Sequence, residues 1–221
     1  MEELIEQEKF EIEVLEQMNN RRFLSPLVFV GGTMLRLCHS LDRFSIDLDF
    51  WLIQDIDSKK YVKDLQEYFA RNYVVRDAAI KYYTIIFEIK SAHFHRNLKI
   101  EIRKKLQDIR HEKIIAFSKY THRQVLVSAL PAEDMMRSKI EAFVGRKEIR
   151  DCYDIEFLLR RGIELLADNA TLKRCLAIID AFRPNDYKTK LNPLIESKKR
   201  AYYLQHNFTY LRMKLLELVA G

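Results

Sequence analysis

Residues 29–50 read FVGGTMLRLCHSLDRFSIDLDF, and the order of signals in that run decides the fold. The apolar stretch Leu27–Val30 reads as a buried strand and stops at Gly31-Gly32-Thr33. MLRLCH then suits a short helix with Thr33 near its N-cap, and Ser45–Leu52 alternates like a strand. Successive strand side chains point to opposite faces, so Asp47 and Asp49 present both carboxylates to one side. Their neighbours Ile46, Leu48, Phe50 and Trp51 are apolar. Two like charges so placed are costly unless a cation neutralises them. Hard oxygen ligands suit Mg²⁺ (or Mn²⁺), which takes one or two carboxylates plus substrate phosphates. Taken alone, an Asp-x-Asp pair is more often two surface acids on an edge strand.

Gly31 and Gly32 add a second signal. Two glycines between a strand and a helix let the backbone approach a phosphate closely, with amide N–H groups and the helix N-terminus aimed at it. Arg43 and Ser45 stand just before the acidic pair. They offer a charge-assisted contact and a hydroxyl donor to such a phosphate, or serve as a surface arginine and a turn serine.

Outward from this run, residues 3–19 set Leu4, Ile5, Ile12, Leu15 and Met18 at helical spacing among many glutamates. Residues 57–71 suit a helix packed on a sheet. Tyr82–Ile89, Leu98–Ile102 and Gln124–Leu130 are β-rich. Pro131 opens a helical half: Glu133–Val144 closing at Gly145, Ile149–Arg161 closing at Gly162, then helices near Leu165–Phe182 and Asn207–Val219. The expected class is α+β, a mixed sheet with flanking helices over residues 1–130 followed by a helical bundle over 131–221.

Composition narrows the class of partner. The chain has 221 residues, a net charge of +6 and only five Gly and four Pro, which argues against long linkers or an all-β design. The basic balance fits a partner that carries phosphates. Cys38, Cys152 and Cys175 lie far apart without metal-ligand spacing, so they read as free thiols of a reducing cytoplasm. The acidic, amphipathic start does not read as a signal peptide, and no apolar run is long enough to span a bilayer.

The run GGTMLRL…RFSIDLDF resembles the first motif of the AbiEii/AbiGii-type nucleotidyltransferase toxins, within the DNA-polymerase-β-like superfamily. EDMMRSKIEAFVGRKEIRDCYDIEFLL is similar to that family's second block, a Lys-bearing helix followed by R-x-x-x-RDxYD. The resemblance covers residues 29 to about 160, and it implies a nucleotidyltransferase-type sheet whose active site the helical half completes. It also implies that Gly31, Gly32 and Thr33 cradle nucleotide phosphates and that Asp47 and Asp49 hold Mg²⁺. The superfamily's third carboxylate, which joins the metal site and deprotonates or orients the attacking hydroxyl, falls on Glu101, which reads equally as a solvent-facing strand acid between Lys99 and Arg103. Lys139 matches the triphosphate-binding lysine. Asp154, fifteen positions on, would position that lysine or a nucleotide-bound water, with Arg150 as a possible ion-pair partner.

The implied reaction moves a nucleoside monophosphate from an NTP to an acceptor hydroxyl, a tRNA 3′ end by family analogy, in a toxin that has a cognate antitoxin. A catalytically silent binding module and a kinase on the same fold are the competing readings. The basic stretches Arg103–Lys105 and Lys198–Arg200, the latter beside Tyr202 and Tyr203, are candidate RNA contacts or plain solvated faces.

Overall fold

The computed structural model describes residues 1–220, and the chain separates into two compact units, Met1–Leu130 and Pro131–Gly221. The first begins with helix α1 (Glu2–Asn20), strand β1 (Leu27–Val30), helix α2 (Gly31–His39), strand β2 (Asp47–Leu52) and helix α3 (Ser58–Phe69). Five strands follow: β3 (Val74–Ile80), β4 (Thr84–Lys90), β5 (Leu98–Arg103), β6 (Glu112–Phe117) and β7 (Gln124–Ala129). All seven strands form one mixed sheet in the order β3-β4-β5-β2-β1-β7-β6. β1 runs antiparallel to β2 and parallel to β7, and β2 runs parallel to β5.

The period-2 reading of β2 holds. Leu48, Phe50 and Leu52 are buried, while Asp47, Asp49 and Trp51 are half-buried on the other face. The apolar face continues into Ile100 and Ile102 of β5 and Ile85, Phe87 and Ile89 of β4, all fully buried. Phe29 stacks on Phe50 with centroids 5.2 Å apart, and Phe69 of α3 meets Phe87 edge-on at 5.9 Å. Each such ring or aliphatic chain removed from water contributes about 1.5–3 kcal/mol. That burial fixes the strand register, because a slip of one residue would turn Asp47 and Asp49 inward. Asp57 starts α3 by accepting from the backbone N–H groups of Lys59 and Lys60.

Several boundaries differ from the sequence reading. β3 and β6 were not expected. Both are edge strands whose outer residues Val74, Ile80, Ile115 and Phe117 are exposed, so neither carries a clean alternation. α2 starts at Gly31 and Val30 occupies the N-cap position, so Thr33 lies inside the helix. The helix can begin that early because Gly31 adopts φ +84°, a left-handed conformation suited to glycine.

The second unit consists of α4 (Ala132–Arg146), α5 (Ile149–Arg160), α6 (Asn169–Asp180), a short α7 (Pro184–Asp186), α8 (Ser197–His206) and α9 (Thr209–Ala220). α4 passes through Gly145 and ends at Lys147, which takes the left-handed capping position at φ 57°. Gly162 does end α5: its N–H reaches the Leu159 carbonyl and the Ile163 N–H reaches Leu158, the paired bonds of a Schellman motif. α6 starts at Asn169, later than its apolar pattern suggested, because the Asp168 side chain accepts from the Thr171 N–H. α8 escaped the sequence reading because SKKRAYYLQH buries only Tyr203. Cys38, Cys152 and Cys175 are free. Among the described residues, no helix is long and apolar enough to cross a membrane.

Candidate active site

In the first unit the fold gathers the glycine turn and the acidic strand at one place. Val30 is the β1 partner of Asp49, so the chain leaves β1 beside that carboxylate. A Cβ at Gly31 would lie 2.6 Å from Asp49 Oδ2, and one at Gly32 would lie 2.7 Å from an Arg43 guanidinium nitrogen and 2.8 Å from Ser45 Oγ. Asp49 thus closes on Gly31, and Arg43 and Ser45 close on Gly32, only because the two glycines lack side chains. Thr33 is fully buried, and its hydroxyl donates to the Asp47 carbonyl at 2.6 Å. That bond ties α2 to the first residue of β2, so the Thr33 side chain is committed to holding the strand.

Arg43 is nearly buried and donates to the Phe44 carbonyl at 2.9 Å. The loop that carries it is held from α1 and α2. Gln7 donates to the Ile46 carbonyl, Arg36 pairs with Glu8 at 2.7 Å and donates to the Leu41 carbonyl, and Ser118 donates to Glu8. The Arg36 guanidinium also sits over the Phe44 ring at 4.2 Å. Sequence reasoning missed this buried polar stripe of Gln7, Glu8 and Glu11. The available signal was a set of polar residues at positions 7, 8 and 11, interleaved with Leu4, Phe10 and Ile12 on a helix already expected to pack.

Glu11 is the odd member. It is fully buried and neither carboxylate oxygen has a hydrogen-bond partner. Burial first, then the charges of Glu8 and Asp47, push its carboxyl well above the usual range.

Across β2 and β5, Asp47 is the partner of Lys99, Asp49 of Glu101 and Trp51 of Arg103. Glu101 therefore stands beside Asp49 on the same face. Its carboxylate accepts from Lys99 Nζ at 2.7 Å. That hydrogen bond holds the Lys99 proton more tightly than usual, with partial burial acting against it and the charges of Glu101, Asp47 and Asp49 adding to it. Among the described residues, no three His, Cys, Asp or Glu side chains are grouped as a metal cage. The donor chemistry of Asp47 and Asp49 still suits a hard cation: two carboxylates on one half-exposed face, with the missing Cβ of Gly31 leaving room at Asp49 Oδ2.

In the second unit, Lys139 projects from α4 into a buried pair of acids on α5. Its Nζ lies 2.7 Å from Asp154 Oδ2 and 3.4 Å from Asp151 Oδ1. All three side chains are at most 5% exposed. Arg146 closes the group with two bonds of 2.6 Å to Asp151. Two cations and two anions balance, as burial requires, and the Lys139 ammonium is fixed in one direction. Glu156 was also missed. Fully buried, it accepts from Arg160, Tyr203 and the Leu211 N–H, tying α5 to α8 and α9.

A glycine turn closed on strand carboxylates, carried by a strand–helix–strand unit, defines the nucleotidyltransferase class of fold, and solved structures agree. JHP933 from Helicobacter pylori superposes with a TM-score of 0.58 at 19% identity, covering 99% of this chain and 95% of that one. MenT4, a nucleotidyltransferase toxin from Mycobacterium tuberculosis, gives 0.58 at 15% identity, covering 93% and 82%. A search of curated proteins returns no match. The family described as "Nucleotidyl transferase AbiEii toxin, Type IV TA system" matches residues 13–214, and the chain belongs to that family of toxin–antitoxin systems.

Proposed function

We propose that this toxin catalyses Mg²⁺-dependent transfer of a nucleoside monophosphate from an NTP to the 3′-hydroxyl of an RNA, a tRNA acceptor end, and so blocks translation in the cytoplasm. The observation that carries the reading is the close approach of Gly31 to Asp49, which supports a phosphate bound by the turn backbone beside a cation on the carboxylate. Asp47 and Asp49 would hold the metal, which supplies charge neutralisation at the α-phosphate and the leaving pyrophosphate. The backbone N–H groups at Gly31 and Gly32, with Arg43 and Ser45 beside them, bind and orient the triphosphate. Thr33 acts through the strand it anchors.

The acceptor oxygen forms a bond to the α-phosphorus as the bond to the pyrophosphate oxygen breaks. Glu101, beside Asp49 in the sheet, orients the hydroxyl or takes its proton. Lys139 contributes a fixed positive charge for the triphosphate, and Asp154 keeps that ammonium aimed. The antitoxin partner that the family implies restrains this activity.

The Lys99–Glu101 ion pair favours a second reading, a silent nucleotide-binding module, because it engages the carboxylate that would serve the acceptor. Incubating the protein with Mg²⁺, total tRNA and either α- or γ-labelled NTP separates the readings. Label from the α-position on RNA supports nucleotidyl transfer. Label only from the γ-position would show a kinase, and nucleotide binding without label transfer would show the silent module.

A further inference from the structure

Among the described residues, the two most exposed large apolar side chains are neighbours: Tyr82 at 83% and Tyr83 at 73%. They are the central residues of the β3–β4 hairpin, closed by the Lys81 N–H to the Thr84 carbonyl at 2.8 Å. Two-residue hairpin loops favour Asn, Asp and Gly for their backbone freedom, so the turn itself gives no reason for two tyrosines. The rings meet edge-on at 4.5 Å and leave their outer faces bare.

The turn is fastened to the end of β5. Lys104 donates through its backbone N–H to the Tyr83 carbonyl at 2.9 Å and through Nζ to the Lys81 carbonyl at 3.0 Å. Thr84 is the β4 partner of Arg103, and Arg103 is the β5 partner of Trp51. The exposed Arg103 guanidinium lies over the Trp51 ring at 5.7 Å. Lys81, Arg103, Lys104 and Lys105 give this region its charge, and residues 81–84 and 103–106 contain no acid, Asp108 being the next along the chain. Trp51 shares a face of β2 with Asp47 and Asp49. It stands two positions beyond Asp49 on the strand, a rise of about 7 Å.

We infer that Tyr82, Tyr83 and the Arg103–Trp51 pair form a stacking track for a single-stranded RNA end, with Lys81 and Lys105 on its phosphates and Asp49 at its terminus. Bare aromatic faces bind any base by its π-face, and a guanidinium plane does the same. Lysines flanking such faces neutralise the backbone between stacked bases. The track rests on the reading of RNA as the acceptor, and it names the residues that would recognise that acceptor.

The test is fluorescence anisotropy with the full chain and a 5′-labelled single-stranded RNA octamer, in EDTA and without NTP, so that binding is read independently of transfer. Tyr82→Ala with Tyr83→Ala should weaken binding about tenfold or more. Lys81→Ala with Lys105→Ala should weaken it and flatten the slope of log affinity against log salt by about 0.7 for each phosphate no longer neutralised. Circular dichroism confirms that the variants fold, since all four side chains are exposed. Equal binding by the tyrosine variant, or equal binding of a blunt duplex, overturns the track even where label transfer proceeds. Tight, tyrosine-dependent binding with no transfer under any condition would leave the track standing and sink the enzymatic reading instead.

Discussion

Gly31 and Asp49 are neighbours without clearance: a side chain on the first would begin 2.6 Å from a carboxylate oxygen of the second. Gly31 also holds φ +84°, where an L-residue is strained by about 1 kcal/mol or more. Gly31→Ala therefore meets two penalties, one in the backbone and one at the acid. The stability cost should show as a lowered Tm. A displacement of Asp49 by about 1 Å should reduce transfer by about a hundredfold, read with α-labelled NTP. A variant that loses stability but keeps full transfer would show that the close approach has no catalytic role.

Asp49→Asn keeps the shape of the side chain and removes its charge. Its neighbours in the sheet, Val30 and Glu101, need no change to accommodate it, so the Tm should stay near that of the parent. Transfer should fall about a thousandfold or more, the several kcal/mol that a bound metal contributes. Growth inhibition should vanish with it, and persistent toxicity in this variant would refute the mechanism. Asp47→Asn, tested over a range of Mg²⁺ concentrations, should shift the metal requirement upward.

Much of this arrangement was legible in the sequence, and the reason is local. Strand, glycine turn, helix and strand occupy about two dozen consecutive residues, so periodicity and turn chemistry together specify where Asp47 and Asp49 point. The parts that stayed hidden depend on distant partners. Thr33 looked like a cap or a phosphate ligand, and only the folded position of β2 reveals that its hydroxyl is engaged by Asp47. Glu8 and Gln7 looked like the wet face of α1, yet they hold the loop of Arg43 from about thirty residues away or more. Lys139 and Asp154 could be paired by resemblance, and Arg146 could be grouped with Asp151 as a salt-bridge network, but the two bonds between them depend on the folded α4–α5 turn.

The buried group around Lys139 gives a prediction in which stability and activity part company. Lys139→Met removes the ammonium held 2.7 Å from Asp154 in a fully buried position, so it should destabilise by up to about 3–5 kcal/mol. Lys139→Met combined with Asp154→Leu removes both charges and should recover much of that loss. Arg146 still balances Asp151 in the double variant. Transfer should remain abolished in both, because the ammonium is gone. Chemical denaturation and label transfer on the same preparations check the two halves. Restored transfer in the double variant would reduce Lys139 to a structural residue.

Glu11 gives a pH signature with a definite sign. Its carboxyl is held well above the ordinary range by burial, with Glu8 and Asp47 adding to the effect. Below the ordinary glutamate value, about pH 4, it is protonated in folded and unfolded chains alike and contributes nothing to the difference. As pH rises past that point the unfolded chain releases the proton while the folded chain retains it, so stability falls until the raised folded value is passed. Glu11→Gln removes the titration and preserves the volume. The variant's gain in stability over the parent should therefore be smallest near pH 4 and should grow toward neutrality, measured by urea denaturation in buffers of constant ionic strength. A Gln side chain at this site also lacks partners, which adds an offset that does not vary with pH. The slope, and not the offset, is the test: a difference that stays constant across the range would mean that Glu11 finds a partner for its charge in the folded chain.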